Sequence, residues 1–70
     1  MNIVWNITLY DAAGRTLHSE PMKRMKRFSM EAAANQKRLD VLAREHVNAV
    51  TAAIGNANFV IRNGKSACVL

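Results

Sequence analysis

Cysteine occurs once in this chain of 70 residues, at Cys68. An internal disulfide is therefore excluded, and with it the cross-linked scaffold that lets small secreted domains do without a large core. A reducing cytoplasm is the expected compartment. Long hydrophobic runs are missing as well. The opening MNIVWNITLYD alternates along its length and carries no basic leader, so neither a signal peptide nor a membrane span is expected and the chain reads as soluble and unprocessed. The closing SACVL places its cysteine third from the end, where prenylation needs it fourth. Aromatics are limited to Trp5, Tyr10, Phe28 and Phe59, which leaves the core to aliphatic residues and alanine. At this length the chain is one domain, 1–70, whose small core makes a partner or a second copy plausible from the start.

Catalytic equipment is equally sparse. His18, His46 and Cys68 are scattered without the spacing of a zinc site, and no glycine-rich loop, nucleophile–base pair or converging carboxylates can be read. The expectation is no enzyme, no metal and no cofactor. His46 reads as a histidine satisfied by a carbonyl or water at the edge of a helix, and Cys68 as a small core residue.

Acidic residues are few, and their distribution matters more than their number. Between Pro21 and Arg38 stand Lys23, Arg24, Lys26, Arg27, Lys37 and Arg38 against Glu31 alone, whereas the four remaining cations are matched by four acids, so the net charge of +5 resides in that stretch. PMKRMKRFSM is its centre. Either it grips an acidic partner or it is a solvated edge.

The elements follow from periodicity. Ile3, Trp5, Ile7 and Leu9 alternate with Val4, Asn6, Thr8 and Tyr10, the period of two of a strand with one buried face, about 2–10. In DAAGR, Asp11 can start a type I turn and Gly14 can close a hairpin with a G1 bulge, pairing Leu9 with Leu17. The second strand, about 15–20, belongs at a sheet edge because Pro21 cannot donate to a ladder. Residues 22 to 28 read as an irregular or single-turn connection. Ser29 as N-cap and an alanine-rich start predict one long helix, about 29–54, with a stripe of Leu39, Leu42, Ala43, Val47, Val50 and Ile54 and a stop at Gly55. The remainder is a hairpin, about 57–62 and 65–70, turned by Asn63-Gly64 and opposing Arg62 to Lys65, Ile61 to Ser66 and Phe59 to Cys68. The predicted fold is α+β, ββαββ, one helix on a four-stranded antiparallel sheet in the order 2-1-3-4.

Two surfaces are candidates for function. One is the basic set Lys23, Arg24, Lys26, Arg27, Lys37 and Arg38. Those residues could meet an acidic protein surface or, alternatively, phosphates of a nucleic acid through a salt-sensitive attraction, for which only Phe28 and Tyr10 are candidate stacking aromatics and no helix-turn-helix, ribbon-helix-helix or RNP-like pattern is present. Met22, Met25 and Phe28 are too few for membrane insertion. The other is the sheet face away from the helix, where Val4, Tyr10, Val60 and Val69 could contact a partner or form a homodimer.

The strand VWNITLYD, the turn DAAGR, the helix opening SMEAAA and the closing NANFVIRNGKSACVL resemble, in arrangement, the small single-domain bacteriophage proteins that inactivate host machinery, particularly anti-CRISPR proteins with a helix on an antiparallel sheet. The resemblance covers most of the chain and no functional motif, so it assigns no site residue. It implies a non-enzymatic inhibitor that docks on a host protein complex in the cytoplasm. Many such inhibitors are acidic and imitate nucleic acid; the basic middle of this chain argues against that mimicry.

Overall fold

The computed structural model describes residues 5–69. Alternation builds β1 (Asn6–Tyr10), whose Ile7 and Leu9 are buried. Asp11 then turns the chain: its carbonyl accepts the Gly14 N–H at 3.0 Å, its carboxylate accepts the Ala13 and Arg15 N–H groups at 2.9 Å, and Gly14 takes φ +81°. That is the expected bulged turn. In β2 (Thr16–Pro21) the register departs from expectation, since Tyr10 opposes Thr16 but Leu9 opposes His18. Leu17 is the extra residue of a second bulge and packs against the edge of the core. The slip turns His18 and Glu20 towards the helix side and Ser19 towards Asn6 and Thr8.

The helix is shorter than its sequence pattern suggested. α1 (Phe28–Glu45) ends where the His46 N–H bonds the Leu42 carbonyl, and Val47, expected in the apolar stripe, is 85% exposed. Residues 47 to 54 carry Val47, Val50, Thr51 and Ile54, β-branched side chains that restrict helical χ1 and favour a pleated surface. They supply instead β3 (Thr51–Ile54), absent from the expected layout. Gly55, read as a helix stop, is the first central residue of a two-residue hairpin, with φ +60° and Ile54 opposite Ala57. Glycine at that position is the mark of a type II′ turn. Ser29 does not cap the helix either. The N-cap is Arg27, without a side-chain bond.

β4 (Ala57–Arg62) and β5 (Lys65–Cys68) form the closing hairpin in the expected register, turned by Asn63 and Gly64 at φ 54° and 72°. The sheet is antiparallel, five-stranded and ordered β2-β1-β3-β4-β5, so β3 separates two strands that were expected to be neighbours. The small α+β domain has one layer of helix and one of sheet. Ile7, Leu9, Ala52 and Phe59 of the sheet meet Leu39 and Leu42 of α1 to form the core. Cys68, expected there, is exposed at the sheet edge. The helix also seals that edge: Asp40 accepts the Ser66 N–H at 2.8 Å, and Gln36 donates to the Ser66 carbonyl at 3.3 Å. No helix among the described residues is long and apolar enough to cross a membrane.

Candidate interaction site

After Pro21 the chain leaves the sheet and crosses to the helix as an irregular strap, residues 22 to 27, while the Met22 N–H still bonds the Trp5 carbonyl at 3.1 Å. A strap of this kind would expose unpaired backbone groups to partial burial. Two polar side chains buried on α1 satisfy them. Asn35, 1% exposed, accepts the Lys23 N–H at 2.7 Å and donates to the Lys23 carbonyl at 2.8 Å, so its amide replaces a neighbouring strand. It also donates to the Glu31 carbonyl one turn back. Glu31, 9% exposed, accepts the Met25 N–H at 2.9 Å and an Arg24 N–H at 3.3 Å. The basic stretch is thus pinned through its backbone, and its cationic side chains point outwards.

The six cations expected to act together are divided by their surroundings. Arg38 makes a two-pronged pair with Glu20, at 2.9 and 3.0 Å, and Glu20 also holds His18 at 2.9 Å. The Arg38 bonds, and after them the His18 bond, hold the Glu20 carboxyl down at about 2. His18 in turn lies against the His46 ring at a centroid distance of 5.1 Å, tying β2 to the end of the helix. Arg24 is engaged by Glu31. Lys23, Lys26, Arg27 and Lys37 make no ion pair among the described residues.

Two clefts flank α1. An open one of about 460 Å³ between β2 and the helix gathers Lys23, Lys37 and Arg38 around Ala34 and Val41. On the opposite flank, an apolar cleft of about 450 Å³ has Arg24 at its edge. Phe28, at the helix start, is 83% exposed. The second candidate surface is partly assembled: Tyr10, Thr51, Val60 and Ala67 form one rung across β1, β3, β4 and β5 on the uncovered face. Val69 stands exposed just beyond β5, and Val4 lies outside the described residues.

Sequence reasoning missed Glu31 and Asn35 as anchors. Their signal was present, because positions 31, 35, 39 and 42 fall on one helical face that continues into the leucine stripe. Among the described residues no three His, Cys, Asp or Glu side chains gather as they would around a metal ion. No family model, curated protein or solved structure matches this chain.

Proposed function

We propose that the chain is a small, non-enzymatic protein-binding module that docks on an acidic surface of a host protein complex in the cytoplasm, as a phage or mobile-element inhibitor would. The inhibitor setting is supported by the resemblance in arrangement. The docking is supported by one observation above the others: a strap fixed to the helix by hydrogen bonds to the buried side chains of Asn35 and Glu31 presents Lys23, Lys26 and Arg27, which make no ion pair among the described residues, next to a largely exposed Phe28. A solvated edge has no need of an internal amide that imitates a strand. Arginine beside an exposed aromatic is the composition of protein-interface hot spots, and holding the strap in advance lowers the ordering cost of association.

The test is charge reversal at the four cations of the basic stretch that make no ion pair among the described residues, Lys23→Glu, Lys26→Glu, Arg27→Glu and Lys37→Glu together. Because none of these side chains holds the fold, circular dichroism and melting should be retained while capture of the protein partner is lost. Undiminished capture by the folded variant contradicts the proposal. Binding instead to nucleic acid, with affinity falling by orders of magnitude as salt rises, would favour phosphate contact by Lys23, Arg24, Lys26, Arg27, Lys37 and Arg38.

A further inference from the structure

We infer that the apolar cleft beside the strap receives apolar side chains carried on an acidic segment of the partner protein, an inference that rests on the docking function just proposed. The cleft, about 450 Å³, is walled by Trp5, Met22, Phe28, Ala32, Ile54 and Phe59, a volume in the range of ordinary ligand pockets, about 300–1,000 Å³. It has room for more than one apolar side chain.

The charges around the cleft select the occupant. Glu31 reaches its edge, yet its carboxylate is committed to the Met25 N–H and Arg24, so little negative charge is left to repel an acidic visitor. Lys26 and Arg27 lie on the chain between the lining residues Arg24 and Phe28, and both are exposed. An apolar group flanked by carboxylates matches a cleft whose lining Arg24 and Glu31 balance each other and whose neighbouring strap carries the exposed cations Lys26 and Arg27. A second copy of this chain does not match, because it would bring an identical cationic strap to the same rim. Strand addition at the neighbouring β5 edge is also unsuited: Asp40 and Gln36 already occupy the outward backbone groups of Ser66. What remains is insertion of side chains, with Phe28 as an aromatic lip that gains burial only when covered.

Trp5 lines the cleft and is the one tryptophan of the chain, so its emission reports occupancy. The probes are three capped hexapeptides: Glu-Glu-Leu-Phe-Glu-Glu, the same with lysine for glutamate, and the same with Ala-Ala for Leu-Phe. The expected result is a saturable change in Trp5 emission with the first peptide, at an affinity about tenfold or more above either control. Ala32→Phe, at an exposed helical position in the cleft wall, should fill the space and weaken that binding about tenfold with melting unchanged. No saturable response, equal binding of the lysine peptide, or undiminished binding by a folded Ala32→Phe variant overturns the inference. The broader reading fails separately: if wild-type chain still captures a nuclease-resistant protein while the peptides do not bind, only the cleft assignment falls.

Discussion

At the scale of single residues, the polar side chains inside the helix decide how the strap behaves. Asn35→Ala removes both side-chain hydrogen bonds to the Lys23 backbone and the bond to the Glu31 carbonyl; unsatisfied buried groups cost about 1–3 kcal/mol each. The expected loss is about 1–3 kcal/mol in urea unfolding, together with faster hydrogen exchange at the Lys23 amide while β1 amides stay protected. Unchanged exchange at Lys23 would show that Asn35 does not hold the strap. Glu20 gives a second residue-level prediction. Its carboxyl is lowered from 4.5 to about 2 in the fold, first by the Arg38 hydrogen bonds and then by His18. A lowered folded value means that the stabilisation is present above the unfolded value and is lost as acid protonates the folded group. Stability should therefore decline from about pH 4.5 towards pH 2, and Glu20→Gln should flatten that decline in denaturation midpoints measured across the window. Asp11, also lowered by its bonds to the Arg15 and Ala13 amides, keeps a smaller slope in the variant.

At the scale of elements, what could be read from the sequence was whatever is specified locally. The bulged turn of Asp11 and Gly14 and the Asn63-Gly64 hairpin were legible because the turn chemistry sits within four residues. The end of α1 was not legible. Leu42, Val47, Val50 and Ile54 keep helical spacing, and one glycine can serve equally as a helix stop or a type II′ corner. The competition was settled by β-branched residues and by the place β3 finds between β1 and β4. Gly55 carries the consequence. Its φ is +60° and a Cβ there would overlap the Trp5 ring, so Gly55→Ala should cost about 1–3 kcal/mol. Both the urea midpoint and the Trp5 emission should shift; a wild-type midpoint would mean that the corner is not constrained as described. The sheet edges show a related logic. Beside β5, Asp40 and Gln36 of the helix stand in for a missing outer strand, which blunts pairing with other chains there, while Asn35 does the same for the strap at Lys23.

At the scale of the whole molecule, charge and shape are separated. The candidate basic site was legible in composition as the run from Lys23 to Arg38, but its division was not, because pairing of Arg38 with Glu20 and of Arg24 with Glu31 depends on a tertiary fold that spans 18 and seven positions of sequence. Lys26 and Arg27 of the strap lie next to the apolar cleft, Lys23 and Lys37 line the cleft on the other flank of α1, and the opposite sheet face carries the mixed rung of Tyr10, Thr51, Val60 and Ala67. Surface charges of this kind act mainly on encounter rate and partner choice, so an acidic partner should associate more slowly as salt screens the strap. The most direct measurement is a tagged capture from bacterial lysate, divided in two, with one half treated with nuclease before elution. The account predicts one defined protein at equal amount in both halves, lost when Lys23, Lys26, Arg27 and Lys37 are reversed. Retention of nucleic acid, with all proteins released by nuclease, would contradict it.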